Sequence, residues 1–246
     1  MSPTALLIQG KPRVGEGLAE QDVLWCYLDA AKLLDFFHNQ TLYFSRGDQF
    51  ADKFEGSFTK SLRERIETSY EYNKINFTYD QFRQRMRERV FVNCWHKSTD
   101  DSMAMWSLYG RSTCSAAITT TVGNLSQVLR EQQLPYYVSI ERVEYVKHWR
   151  NPKLDISPYS RVFAYKTKAY EFEKETRVLI DRSIDEFDGD VPETGMPIKI
   201  PQRTLLRSIV IAPEAPPWFE SLIRDVAARY DITAPVRRSK LASEPI

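Results

Sequence analysis

The sequence predicts an α+β fold: a mixed, largely antiparallel sheet with flanking helices and a helical insertion near residues 57–90. Three observations predict it. Uncharged apolar runs such as Ser208 to Ala212 and Val178 to Ile180 are strand-sized, far below the roughly 18 to 20 residues of a membrane span. Segments of helical periodicity lie between such runs, but without the regular strand–helix alternation that a parallel sheet requires. With 246 residues, 42% of them hydrophobic and 13% aromatic, the chain can bury a sizeable core.

Residues 1–20 mix Pro and Gly with few large apolar groups and read as a loosely held leader; a single domain follows over 21–240, then a tail over 241–246. VLWCYL from Val23 reads as a strand entering a helix with Ala30, Leu33, Leu34, Phe36 and Phe37 on one face, followed by the strand LYFS. Ser57 to Arg89 carries apolar residues at helical spacing, with a cap at Thr78 or Asp80. FVNCWH is a strand, SMAMWSLYG a short helix ended by Gly110, and SAAITTTV a strand. Leu125 to Gln132 reads as a helix, Tyr136 to Tyr145 as one or two strands, and Lys166 to Lys174 as a helix leading into the strand TRVLI. Leu205 to Ala212 gives one more strand. Pro217 to Tyr230 is a helix with Trp218, Leu222, Ile223, Val226 and Ala227 facing inward.

Composition excludes several classes of function. With 34 Lys plus Arg against 33 Asp plus Glu, the net charge is +1, so no global field draws the chain to nucleic acid or membrane. Three cysteines without a CxxC pair argue against a disulfide framework or a zinc knuckle; they read as buried thiols. Histidines 38, 96 and 148 lack metal-ligand spacing, so no metal is expected, and neither a P-loop nor GxGxxG occurs. The start of the chain does not read as a signal peptide, which points to the cytoplasm.

Local charge is more telling. Arg83, Arg85, Arg87 and Arg89 form a basic stripe, readable as a solvated helix face or as a surface that meets phosphates. Lys147 to Lys168 holds six Lys or Arg against Asp155, whereas Glu171 to Asp190 holds eight acids against three bases. Glu171, Glu173 and Glu175 alternate just before TRVLI. In strand conformation Glu173 and Glu175 share a face; in a helix Glu171 and Glu175 align. Crowded carboxylates cost stability unless bases such as Lys168 and Arg177 offset it.

Four blocks resemble the bacterial family called domain of unknown function 2971: LYFSRGDQFADKFEG (Leu42 to Gly56), Cys94 to Gly110, YKTKAYEFEKETRVLI (Tyr165 to Ile180), and Ser208 to Tyr230. Its pattern falls on Phe44, Ser45, Phe50, Asp52, Phe54, Glu55, Trp106, Tyr109, Lys168, Glu173, Glu175 and Arg177. An Asp-Pro usual to the pattern is Asp52-Lys53 here, so the turn there differs. From the residues themselves, Asp52 is expected to accept backbone N–H groups in the turn after LYFS, with Phe50 and Phe54 anchoring it in the core.

EKETRVLI is also similar to the diglutamate turn and strand of ADP-ribosyltransferases. In their Arg, Ser-Thr, Glu class an early arginine, a Ser/Thr-rich strand and the diglutamate occur in order; Arg46, Thr119 to Thr121 and Glu173 to Glu175 follow that order here. The resemblance implies an NAD-using enzyme, with phage defence or toxicity as the attached setting. Tyr43, Ser45, Arg46, Trp106, Tyr109, Thr120, Lys168 and Arg177 would bind substrate, Glu175 would stabilise the transition state and Glu173 would position a nucleic-acid or protein acceptor. The other reading is a non-enzymatic module that holds nucleic acid or a partner on its basic segments. Ser45, Asp52, Trp106, Lys168, Glu173, Glu175 and Arg177 are expected around one cleft.

Overall fold

The computed structural model describes residues 11–52, 54–74, 76–183 and 190–243, with Trp149 as backbone only. Its strands and helices follow in the order β1 (Arg13–Val14), β2 (Val23–Asp29), α1 (Ala30–Asn39), β3 (Thr41–Arg46), α2 (Lys60–Tyr72), α3 (Tyr79–Glu88), β4 (Val90–Lys97) and α4 (Met103–Met105), which runs into a π-helical turn at Trp106–Gly110. Then come β5 (Ser115–Thr121), α5 (Val122–Glu131), β6 (Tyr137–Arg142), β7 (Glu144–Val146), β8 (Tyr165–Thr167), β9 (Glu175–Asp181), β10 (Gly195–Lys199), α6 (Gln202–Leu205), β11 (Ser208–Ile211), α7 (Pro217–Arg229) and β12 (Val236–Arg238). The class is the expected one, with mostly antiparallel strands in a mixed sheet and helices flanking it.

The described residues gather into two compact units. The first comprises residues up to Glu16, Tyr43–Asn93 and Leu134–Pro197. In it β1 pairs parallel with β6, β6 antiparallel with β9, and β9 neighbours the first half of β4, which is antiparallel to β3 through Ser45↔Val92. β9 is buried along its whole length, as an interior strand with neighbours on both edges must be. Phe44, Phe91, Ile140, Phe163, Val178 and Leu179 form this unit's core. β7 and β8 make a separate parallel pair.

The second unit comprises Gly17–Leu42, Cys94–Gln133 and the residues from Ile198 on. The second half of β4, β2, β5 and β11 follow one another antiparallel, and β12 is parallel to β11. Leu24, Leu33, Phe37, Ile118, Leu125, Ile209 and Phe219 are fully or almost fully buried in it. Asp29 caps α1, its carboxylate accepting the Lys32 N–H at 2.9 Å, and Gln40 ends that helix in the left-handed region at φ 53°.

The insertion forms as two helices, and Thr78 with Gln81 makes the capping box of α3. Several finer expectations are corrected. The helix expected over Lys166 to Lys174 forms only in part: β8 occupies Tyr165–Thr167, and a 3-10 helix of about two turns follows at Lys168–Glu173. The β-branched Thr167 and the partner strand β7 extend the chain there. The buried seam of α7 is Phe219, Ile223 and Ala227, one residue per turn, which leaves Trp218 59% and Leu222 46% exposed. Leu34 on α1 is likewise exposed. The cysteines are free and only half-buried. Of the leader, residues 1–10 lie outside the described residues, but Arg13–Val14 is tied down as β1, with Arg13 on Glu141 at 3.0 Å. Of the tail, 244–246 lie outside them.

Candidate active site

The first unit closes five charged side chains into one buried centre. After β8 the chain runs through its 3-10 helix and reverses at Lys174, whose left-handed backbone (φ 43°) sets Glu173 and Glu175 on either side of the reversal. Neither of the two geometries foreseen for the acidic run occurs. Instead both carboxylates meet the Lys166 ammonium of β8: Nζ donates to Glu173 and, at 3.4 Å, to Glu175 Oε2. Glu171 points to solvent and pairs with Lys168 at 3.7 Å. From β9, Arg177 donates through Nη2 to Glu175 Oε2 at 2.6 Å and to Glu55 Oε1 at 3.1 Å, and through Nη1 to the Phe163 carbonyl at 2.8 Å. Glu55 also lies 3.5 Å from Lys166. All five side chains are buried.

Among the described residues the three carboxylates meet the cations of Lys166 and Arg177, and the buried Arg87 guanidinium also feels the Glu55 charge. Burial opposes ionisation of Glu175, yet the Arg177 and Lys166 charges outweigh it and hold its carboxyl below the usual carboxylate range. Burial also opposes the Lys166 charge; Glu175 overrides it, and the ammonium titrates above its usual range. Glu55 Oε2 is buried and accepts no hydrogen bond among the described residues. Such an orphaned oxygen costs about 1 to 3 kcal/mol.

Aromatic rings wall the centre. Arg177 lies over Phe50 (5.4 Å) and Lys166 over the half-exposed Tyr170 (4.7 Å), while the Tyr145 hydroxyl accepts the Glu175 N–H at 2.8 Å. Asp52 behaves as expected in its turn, accepting the Phe54 N–H at 2.9 Å. Phe54 does not anchor that turn: it is 45% exposed and stacks on His148 at 5.1 Å. Half-buried Phe50 and fully buried Phe163 do, the latter against Gly56, where φ is +65° and an added Cβ would sit 2.5 Å from its Cζ. In this turn glycine is required.

Other expected site residues are spent on structure. Arg46 is clamped by Asp48 in a bidentate pair (2.7 and 2.8 Å) and donates to the Pro192 carbonyl. Exposed Tyr43 donates to Thr194 Oγ1, and Ser45 is half-buried in β3. The arginine run is not one face: Arg87 and Arg89 are buried, Arg87 on the Gly47 carbonyl, Arg83 donates to Ser57, and Arg85 lies over Phe77. In the second unit Thr120 is fully buried and donates to the Leu205 carbonyl at 2.6 Å. Trp106 is buried too, with Nε1 on Asp101 at 3.1 Å, whereas Tyr109 is half-exposed. Lys166 and Tyr145 were missed. In YKTK strand alternation would put Lys166 and Lys168 on one face, and only the end of β8 at Thr167 separates the inward lysine from the outward one.

Among the described residues, no group of three or more His, Cys, Asp or Glu could hold a metal ion, and no helix is long and apolar enough to cross a membrane. No protein-family model and no curated protein matches the chain, so the resemblance to the domain of unknown function 2971 has no matching model behind it. Among solved structures the chain is similar to DarT of Thermus sp. 2.9 in complex with ADP-ribosylated ssDNA. That similarity covers 94% of this chain and 98% of that one, at 9% identity and a TM-score of 0.41. It assigns no residue and no activity to this chain.

Proposed function

We propose that the protein is an ADP-ribosyltransferase-like enzyme that breaks the nicotinamide–ribose bond of NAD. The observation that carries this reading is the buried cluster of three carboxylates, Glu55, Glu173 and Glu175, in which Glu55 Oε2 accepts no hydrogen bond among the described residues. A preorganised negative charge in a water-poor site stabilises a sugar that becomes cationic as its leaving group departs. Glu175, held by Arg177 and Lys166, would face that developing charge, and Glu173, beside the turn, would position the acceptor. Tyr43 and Lys168 remain open to a nucleotide, since the exposed pair of Lys168 with Glu171 is worth little. No metal is needed for this chemistry.

A second reading, a non-enzymatic module that binds nucleic acid or a protein partner, is favoured by the two cations that already satisfy Glu175. One assay separates the two: nicotinamide release from NAD by purified protein, with and without single-stranded DNA, protein or cell extract as acceptor. Wild type is expected to release nicotinamide, Glu175→Gln to lose release, and Glu173→Gln to keep hydrolysis better than transfer. NAD at about 100 times its Kd should add roughly 2.7 kcal/mol of stability. No release and no thermal shift from folded wild type would leave the binding module.

A further inference from the structure

The second unit holds a cavity of about 260 Å³, smaller than a site for a drug-sized ligand. Its apolar wall includes Trp106 and Met103, and its rim carries Arg111, Glu214 and the hydroxyls of Ser112 and Thr113. Trp106 is rigidly seated, edge-on to Tyr27 (4.8 Å, 90°) and hydrogen-bonded to Asp101. It opens the π-helical turn Trp106–Gly110, a wide-turn geometry that recurs at functional sites, and Arg111 follows with a left-handed backbone at φ 59°.

Arg111 and Glu214 carry opposite charges, line one cavity and are both exposed, yet they form no ion pair with each other. Neither has another charged partner among the described residues. A guanidinium and a carboxylate that line one cavity without pairing, beside Trp106 and Met103, suit a small ligand that carries both charges and an apolar body. An isolated anion would meet Arg111 but face Glu214, and an isolated cation would suffer the reverse.

We propose that this cavity binds a free amino acid with a large apolar side chain, its carboxylate on Arg111, its ammonium on Glu214 and its side chain against Trp106 and Met103. Arg111 can take the carboxylate bidentately, with the Ser112 and Thr113 hydroxyls as further donors. The inference is independent of any NAD chemistry.

Titration calorimetry of the full chain with L-phenylalanine tests it, beside 3-phenylpropionate, which lacks the ammonium, and phenethylamine, which lacks the carboxylate. L-phenylalanine is expected to bind saturably, with each analogue at least about tenfold weaker, a loss of about 1.4 kcal/mol. Arg111→Gln and Glu214→Gln should each weaken L-phenylalanine by a similar factor while leaving the melting temperature unchanged, since both side chains are exposed. Absence of saturable binding at millimolar L-phenylalanine would overturn the proposal. So would equal affinity for 3-phenylpropionate, which would mark a plain anion site, or undiminished binding by the double variant, which would place the ligand elsewhere.

Discussion

Lys166 holds together three carboxylates that would otherwise repel, and it does so from a buried position where no water can replace it. Lys166→Met keeps the volume and removes the charge. Breaking a buried ion pair on one side costs about 3 to 5 kcal/mol, and urea denaturation should show a loss of that size. The same centre shapes the response to pH. Glu175 has its folded pKa depressed, so its contribution is present above the unfolded carboxylate value of about 4.3 and is lost as pH falls through the folded one. Lys166 has its folded pKa raised, so its contribution is complete below the unfolded value of about 10.4 and is lost only as pH rises through the folded one. The contribution of this centre should therefore be flat across neutrality and fall in acid, and Glu175→Gln should flatten the acid limb of melting temperature against pH. Phe54 and Phe163 make a further contrast. Phe163→Ala should cost about 3 to 5 kcal/mol, whereas Phe54→Ala, losing an exposed stack, should cost below about 1 kcal/mol.

At the scale of elements, α2 and β5 sit at opposite ends of local stability. No residue of α2 is buried, and its surface pairs Lys60–Glu64 and Arg63–Glu67 contribute only tenths of a kcal/mol, whereas β5 is buried at six of its seven positions between β2 and β11. Amide hydrogen exchange should find α2 open long before β5. Elements of this kind were legible because their signal is local: the capping residues of α3, the apolar runs of β9 and β11, the spacing along α5. The phase of a helix was less so. In α7 the pattern PWFESLI offers two apolar stripes one residue apart, and only the partner surface decides that Phe219 goes in and Trp218 stays out.

For the molecule as a whole, the units are assembled from segments distant in sequence, so neither is a contiguous fragment. A fragment 1–133 lacks β6, β8 and β9 and with them four of the five charged residues of the ionic centre; circular dichroism should find the first unit's structure absent from it. This discontinuity also explains which parts of the site could be read from sequence. Glu173 and Glu175 stood out as a crowded pair, and Arg177 as an offsetting base. That Lys174 would turn left-handed and that Glu55 would arrive from 122 residues away are outcomes of packing, which no local pattern encodes. Arg46 and Thr120 matched an order of residue types, but their side chains are consumed by Asp48 and by the Leu205 carbonyl.

That separation of 122 residues between Glu55 and Arg177 also sets an order of events in time. Lys166, Glu173, Glu175 and Arg177 lie within a dozen residues and close a short loop at small entropic cost, forming a balanced set of two acids and two bases. Glu55 can join only after a far longer loop has closed, and its arrival adds a third carboxylate to the cluster. The centre would therefore acquire its third carboxylate late in folding. Glu55→Gln should accordingly speed unfolding and leave the refolding rate nearly unchanged, whereas Lys166→Met should slow refolding, a difference that stopped-flow chevrons of the two variants would resolve.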